Sequence, residues 1–160
     1  AHLGLTLATG SLPPEVAEVL FLVQNDLFDV GADLCTPVVV DPEYPPLRIT
    51  QDYIDRLEGW CDHFNADLPK LRSFVLNGGT PAAAHLHVAR TVCRRAERTG
   101  WTAREVHEDS MNPLALTYLN RLSDLLFILA RYANHWLSDE EKARGEQAPG
   151  DVLWVPGANR

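Results

Sequence analysis

The stretch from Phe74 to Arg98 constrains the fold most, because a short apolar run, a double glycine and a helix start follow one another directly. Thr80 is a favourable helix N-cap, and Pro81 stands at the first helical position, where a missing N–H leaves no helical bond unmade. Gly100 lies just beyond Arg98 and predicts the end of this helix after about five turns. The chain is therefore predicted to fold around one long, well-bounded helix.

Two stripes of side chains run along this helix. At about 100° per residue, the first stripe is apolar and predicts the core-facing side: Ala82, Leu86, Ala89, Cys93 and Ala96. The second lies about a quarter-turn round and contains three arginines: Ala83, His87, Arg90, Arg94, Glu97 and Arg98. We call it the arginine stripe. One guanidinium group can bind two phosphate oxygens at once, and it stays charged. The arginine stripe therefore indicates either a polyanion site or a solvated face whose charge complements the helix dipole.

Composition limits the class of protein. A chain of 160 residues with 46% hydrophobic and 22% charged residues is typical of one globular domain with a single core. A net charge of −8 argues against nucleic acid as the main partner. The three cysteines stand far apart and predict neither a disulfide framework nor a zinc site. We find no signal peptide and no long uncharged apolar run, so we expect a cytoplasmic protein without a membrane segment.

Hydrophobic periodicity predicts an all-α fold. We expect the end of a first helix over Ala1 to Thr9, a second helix from Glu15 to about Leu34, a third capped by Thr50 and running through Asn65, the central helix, and a last one capped by Asn112 and ending near Asn134. The proline-rich stretch from Cys35 to Ile49 predicts a long connection with a short strand at Val38 to Val40, and Gly100 to Met111 predicts another connector. Ser138 to Gly150 is expected to be a mobile loop within the single domain, and the apolar tail from Asp151 to Pro156 is expected to dock back on the body.

Polar side chains also follow one face of the last predicted helix. Thr117, Asn120, Asp124 and Arg131 share it with Phe127. Since polar groups on so apolar a helix need partners, we expect them to meet the arginine stripe, a bound ligand or one another in an internal salt-bridge network. His85 and His87 point about 200° apart on their helix and cannot share one metal ion.

Three blocks of the sequence resemble one protein family, and the resemblance extends over nearly the whole chain. The sequence closely resembles the PduO-type ATP:cob(I)alamin adenosyltransferases, or corrinoid adenosyltransferases, in three ordered blocks: QNDLFDVGADL, FVLNGGTPAAAHLHVARTVCRRAER and YLNRLSDLLFILAR. Two departures stand out. Asn77 replaces the usual proline, and the family's TKxGDxGxT-like phosphate-binding segment is not among these residues, so Ala1 to Gly4 resembles the tail of the family's first helix.

The resemblance implies a fold, an activity and partners. The expected fold is a five-helix bundle, its first helix truncated, that assembles as a homotrimer with sites between subunits. The expected activity is transfer of the 5′-deoxyadenosyl group of ATP, with Mg²⁺, to cob(I)alamin, which gives adenosylcobalamin and triphosphate without a protein nucleophile. A flavoprotein reductase and an adenosylcobalamin-dependent mutase are the further expected partners. The alternative is a non-catalytic helical module that binds nucleotide or protein.

The resemblance also assigns residues to this reaction. Arg94, Arg95, Glu97 and Arg98 are expected to line or support the ATP site, with Asn120 bonded to the nucleotide. Arg90 matches an arginine that pairs across a subunit boundary. Phe74 matches an aromatic residue that packs against the lower corrin face and keeps cobalt without its lower ligand, whereas the sequence alone favours a core phenylalanine at this position. Phe74 and Arg94 are thus the expected catalytic residues, and the long connection after Cys35 is a candidate rim of the corrin pocket or a trimer contact.

Overall fold

The structure is a computed structural model that describes residues 12–107 and 110–158. Four long helices and one short helix lie in these ranges. They are α1 (Pro14–Leu34), α2 (Gln51–Ala66), α3 (Pro81–His107), α4 (Pro113–His135) and α5 (Asp139–Ala143). The all-α prediction is confirmed. The predicted end of a first helix over Ala1 to Thr9 lies outside the described residues.

Two helix starts have the caps that the sequence predicts. The side chain of Asn112 accepts a hydrogen bond from the backbone N–H of Leu114 at 3.1 Å. The Thr80 hydroxyl accepts from the N–H of Ala83 at 3.2 Å. Thr50 has the extended backbone of an N-cap, but its side chain makes no capping bond. The start of each of these helices is therefore placed as expected.

The prediction that α3 ends before Gly100 is wrong, because the helix continues to His107. Much of the predicted connector from Gly100 to Met111 is thus helical. A Cβ at position 100 would lie 2.3 Å from Cδ2 of Leu116, which is fully buried on α4. The glycine lets the two helices approach closely instead of ending α3.

The core forms around α4, which packs against both α3 and α2. The stretch from Pro113 to Ala143 is long and apolar enough to cross a membrane by composition, yet more than half of its apolar window is buried inside the bundle. On α3, Ala82, Leu86 and Cys93 are buried as predicted. Ala89 is half-buried, and Ala96 is exposed because it lines an open groove beside α3. The predicted core stripe is therefore correct only in part.

The connection after α1 is fixed by one buried carboxylate and not by a strand. The predicted strand at Val38 to Val40 does not form, and these three side chains are exposed. Asp33 instead accepts hydrogen bonds from Arg48 Nη1 at 2.6 Å, the N–H of Ile49 at 2.7 Å and Asn112 Nδ2 at 2.6 Å. This single side chain therefore joins the end of α1 to the residues just before α2 and to the N-cap of α4.

The stretch from Ser138 to Gly150 contains the helix α5, which the sequence analysis did not expect. A capping box starts this helix, since the Ser138 hydroxyl and the Glu141 carboxylate each bond the other's backbone N–H. The following tail returns to the body, as predicted, and its Leu153 forms an antiparallel bridge with Val75.

Candidate functional site

A buried carboxylate joins three of the predicted site residues. Glu97, on α3, is only 5% exposed. Arg94, one turn earlier, donates from Nη1 to its Oε2. Asn120, on α4, donates from Nδ2 to its Oε1 at 2.9 Å. Glu97 therefore holds an arginine and an amide in fixed positions where α3 meets α4.

The charged end of this cluster remains accessible. The Arg94 side chain is 40% exposed, whereas the Glu97 side chain is 7% exposed. Asn120 Oδ1 makes no hydrogen bond to a residue in the described ranges, so it can accept one from a ligand. The arrangement suits an anion that bears hydrogen-bond donors, such as a nucleotide.

The buried thiol next to the cluster is not a nucleophile. Cys93 lies one turn before Glu97 and donates to the carbonyl oxygen of Leu119 at 3.1 Å. Burial raises the pKa of the Cys93 thiol to about 12, and the nearby Glu97 carboxylate adds to the shift. The thiol therefore keeps its proton at neutral pH.

The other two predicted phosphate ligands do not join the cluster. The exposed side chains of Arg95 and Arg98 form no hydrogen bond or ion pair within the part of the chain that the structure describes. Arg95 lines an open groove of about 650 Å³ that also includes Leu34, at the end of α1. Since adjacent helix residues point about 100° apart, Arg94 and Arg95 face different directions.

Arg90 lies further along the arginine stripe, over an aromatic ring. Its Cζ is 5.4 Å from the ring centroid of Phe127. His87 meets the same ring edge-on at 6.2 Å and is only 2% exposed. Burial lowers the pKa of His87, and the charge of Arg90 lowers it further. At His87 the stripe is therefore not a solvated face, which was one of its two interpretations, since the Phe127 ring from α4 packs against this residue.

Phe74 lies on a different segment and is not a core residue, since the residue is 76% exposed. Its carbonyl oxygen accepts from the N–H of Trp154 at 2.8 Å, and the N–H of Leu76 donates to the carbonyl oxygen of Val152 at 2.7 Å. The rings of Phe74 and Trp154 lie side by side, with centroids 5.8 Å apart and planes at 60°. The two rings form an exposed aromatic pair.

Trp154 is a site candidate that the sequence analysis did not name. The apolar tail predicts docking on the body, but nothing in the pattern identifies the Phe74 segment as its partner. Trp154 itself is 44% exposed. The structure therefore presents two candidate surfaces, the polar cluster around Glu97 and the aromatic pair.

Comparisons with known proteins identify the family of this chain. The family model described as cobalamin adenosyltransferase matches residues 1–133. The corrinoid adenosyltransferase of Mycobacterium tuberculosis (strain ATCC 25618 / H37Rv) is 56% identical over 160 residues, which span 100% of this chain and 76% of the relative. The cobalamin adenosyltransferase of Cupriavidus metallidurans is 42% identical over 154 residues, or 96% of this chain and 73% of that protein.

Solved structures give the same result. A phenylalanine-to-alanine variant of the PduO-type ATP:corrinoid adenosyltransferase from Lactobacillus reuteri, complexed with cobalamin and ATP, superposes with a TM-score of 0.73 at 33% identity, covering 94% of this chain and 77% of that one. An arginine-to-lysine variant from the same organism, complexed with ATP, gives a TM-score of 0.72 at 33% identity, covering 95% of this chain and 78% of the other.

The chain belongs to the cobalamin adenosyltransferase family, a class of transferases. Within that family its relatives are the PduO-type corrinoid adenosyltransferases, so the resemblance found in the sequence is confirmed.

Proposed function

We propose that this protein transfers the 5′-deoxyadenosyl group of ATP to reduced cob(I)alamin and releases triphosphate. Co(I) supplies the electron pair that forms the new bond to the 5′ carbon, and the 5′ C–O bond breaks with its electrons leaving on the triphosphate. The observation that carries this proposal is the Arg94–Glu97–Asn120 cluster, because it holds a cation and an amide ready for a nucleotide. Such a reaction needs positioning and charge neutralisation more than a protein nucleophile.

On the nucleotide side, Arg94 binds the triphosphate and Glu97 orients Arg94. Arg95 and Arg98 add positive charge where the leaving group develops negative charge. Asn120 accepts a hydrogen bond from the nucleoside through Oδ1. The exposure of the arginines and the burial of Glu97 support these roles, because the cations remain accessible while the group that orders Arg94 is protected from water.

Magnesium enters this scheme with ATP. Among residues 12–107 and 110–158, no three His, Cys, Asp or Glu side chains converge on a point that could hold a metal ion. Mg²⁺ is commonly held by substrate phosphates and waters with few protein ligands. We therefore expect Mg²⁺ to be carried by the triphosphate and to share its charge with the arginines.

On the corrinoid side, Phe74 provides an apolar wall beneath the corrin ring. An exposed phenylalanine is available to a large planar ligand, and the neighbouring Trp154 ring extends the apolar surface. A wall of this kind excludes water and the nucleotide-tail base from the lower face of cobalt. Loss of that ligand eases reduction of Co(II), because the ligand no longer donates electrons to the metal.

The assembly that we propose is a homotrimer of five-helix bundles, with ligand sites between subunits and Arg90 at the subunit boundary. We place it in the cytoplasm, where a flavoprotein reductase would supply Co(I) and a mutase would receive the product. Light scattering tests the assembly, and a stable monomer at micromolar concentration would contradict it.

The activity is tested by mixing the protein with ATP, Mg²⁺ and chemically reduced cobalamin. We expect a light-sensitive cobalt–carbon product and triphosphate in equal amounts. Phosphate and diphosphate as the primary products would contradict attack at the 5′ carbon. ATP binding without any transfer would favour the alternative, a non-catalytic nucleotide-binding module.

A further inference from the structure

One buried amide connects the segment that carries Phe74 to the start of α3. Asn134, in the last turn of α4, is fully buried. Its Oδ1 accepts from the backbone N–H of Thr80 at 2.8 Å and from the Thr80 hydroxyl at 3.2 Å. Its Nδ2 donates to the carbonyl oxygen of Gly78 at 3.0 Å. Both ends of the amide are thus used by the turn that precedes α3.

The turn is shaped to receive this amide. Gly79 has a φ of 103°, in a region that favours glycine. A Cβ at this position would lie 2.2 Å from Asn134 Oδ1. The glycine is therefore needed both for its backbone conformation and for the close approach of the asparagine.

The same residue also holds the C-terminal tail. The backbone carbonyl oxygen of Asn134 accepts from the N–H of Gly150 at 2.8 Å. The next residue, Asp151, is bound to the buried Arg131 on α4 by hydrogen bonds of 3.0 and 2.9 Å. The tail therefore begins at a fixed point on the last turns of α4.

Gly78 and Gly150, two positions bonded to Asn134, are the same number of residues from the aromatic pair along the chain. Gly78 lies four residues after Phe74, and Gly150 lies four residues before Trp154. The intervening segments run antiparallel and bond to each other through Leu76 and Trp154. One asparagine thus fixes the same end of both segments.

We propose that Asn134 is a positioning residue that sets the Phe74–Trp154 pair relative to α3, and so aligns the corrinoid with the nucleotide. The proposal rests on the proposed function for the role of the pair, but the positioning can be tested without it. Within the described residues, the hydrogen bonds of the Asn134 side chain go to Thr80 and Gly78 and not to the arginine stripe or the aromatic pair, so we expect its effect to pass through the two segments.

The first test is Asn134→Asp, which keeps the shape but replaces the Nδ2 donor with an oxygen that faces the Gly78 carbonyl. Backbone amide exchange at Leu76 and Trp154, measured by mass spectrometry or NMR, should become at least tenfold faster. Exchange in the middle of α4 should stay within twofold of the parent. Unchanged exchange at both amides in the folded variant would overturn the proposal.

The second test separates the two substrates. In Asn134→Asp we expect the KM for cob(I)alamin to rise at least fivefold and the four-coordinate fraction of bound Co(II) cobalamin to fall. The KM for ATP should stay within twofold. Equal losses for both substrates, or no loss for either, would overturn the role in alignment. A parent protein that makes no adenosylcobalamin would overturn the proposed function, while amide exchange would still decide the positioning.

Protonation of the new carboxyl group in Asn134→Asp should restore the lost hydrogen bond. A protonated carboxyl group has one O–H donor, which can restore the bond to the Gly78 carbonyl. The cobalamin affinity of Asn134→Asp, divided by that of the parent at each pH, should therefore recover as the pH falls from 8 to about 5.5. A ratio that stays constant or falls would contradict the proposal.

Tyr118→Phe is the matched control. Tyr118 is also fully buried on α4, and its hydroxyl donates a single hydrogen bond of 2.9 Å to Asp26. Its loss should lower the melting temperature by removing one buried hydrogen bond, as Asn134→Asp does. If Tyr118→Phe reproduced the selective loss of cobalamin binding, general destabilisation would explain the effect and the proposal would fail.

Discussion

Asn120 on α4 donates a hydrogen bond of 2.9 Å to Glu97 on α3, and the other oxygen of that buried carboxylate accepts from Arg94. The sequence separation of Asn120 and Glu97 is 23 residues, and the pair lies where the two helices pack. A carboxylate in this position orders Arg94 without occupying its whole guanidinium, because the Arg94 side chain remains 40% exposed.

Arg94→Ala should weaken ATP use more than it weakens the fold. It removes charge-assisted hydrogen bonds worth on the order of 1.5–3 kcal/mol each, so we expect a higher KM for ATP or a lower turnover. Steady-state kinetics with ATP as the varied substrate measures the effect. If the variant melted while its ATP kinetics stayed normal, the arginine stripe would be structural.

Glu97→Gln tests whether the carboxylate orders Arg94. The side-chain oxygen of a glutamine can still accept the hydrogen bond from Asn120. The other carboxylate oxygen is replaced by an NH2 group, which cannot accept from Arg94 or pair with its charge. We expect a several-fold loss in kcat/KM for ATP that largely disappears in the Arg94→Ala background, as coupled residues show. Additive losses in the double variant would mean that Glu97 acts independently of Arg94.

Phe74→Ala should leave stability almost unchanged, by about 1 kcal/mol or less, because the side chain is mostly exposed. A core phenylalanine would instead cost about 3–5 kcal/mol on truncation. Turnover should fall strongly when Co(II) must be reduced on the protein, while the Kd for ATP stays nearly constant. Absorption spectra of bound Co(II) cobalamin check the cause, since the variant should lose the four-coordinate species.

Phe28→Ala provides a control for Phe74→Ala. Phe28 is another exposed phenylalanine, on α1, and the residue is 82% exposed. Its truncation should leave the Co(II) spectrum unchanged. An equal population of the four-coordinate species in the parent and in Phe74→Ala would remove Phe74 from the corrinoid site.

Gly79→Ala and Gly78→Ala form an adjacent pair with opposite expectations. Gly79 has positive φ and no room for a Cβ, so its substitution should cost at least about 2 kcal/mol from backbone strain and displacement of Asn134. Nothing lies within 4 Å of a Cβ at Gly78, so that variant should stay within about 0.5 kcal/mol of the parent. Urea denaturation measures both, and equal costs would contradict the turn geometry.

The ion pair between Asp151 and Arg131, which attaches the C-terminal tail to α4, should make a pH-dependent contribution to stability. Burial alone would raise the pKa of Asp151, but the hydrogen bonds and charge of Arg131, together with His135, hold it below the ordinary value of 3.8. A depressed carboxyl pKa contributes stability above the unfolded value and loses it as the pH falls through the folded value. Asp151→Asn should therefore cost on the order of 3 kcal/mol at pH 7, because Arg131 is left buried without its partner.

The stabilities of the parent and of Asp151→Asn should also approach each other at acidic pH. Denaturation curves from pH 7 to pH 3 should show the stability difference shrinking only below about pH 4, where Asp151 begins to bind protons in the unfolded parent while it is still ionised in the folded parent. A difference that is constant down to pH 3 would mean that the ionised carboxylate is not what holds the tail.

The sequence by itself determined where the long helices of the described residues begin, and it determined the family. The Thr80-Pro81 and Asn112-Pro113 starts are local signals, because a cap and a proline act within one turn, and both helices begin where predicted. The arginine stripe and the three sequence blocks were sufficient to assign the PduO-type family. The roles assigned to Phe74, Arg94 and Asn120 stay predictions.

Only the tertiary structure decided which residues meet. Gly100 predicts a helix end locally, but close packing against Leu116 keeps it inside α3. His87 falls on a polar stripe, yet Phe127 from α4 covers it. No periodicity within one segment could place Trp154 beside Phe74, because that contact joins residues 80 positions apart in the chain. Such contacts depend on how helices and tails pack in space, as at Asn134, whose side-chain amide bonds Thr80 and Gly78 while its backbone carbonyl bonds Gly150.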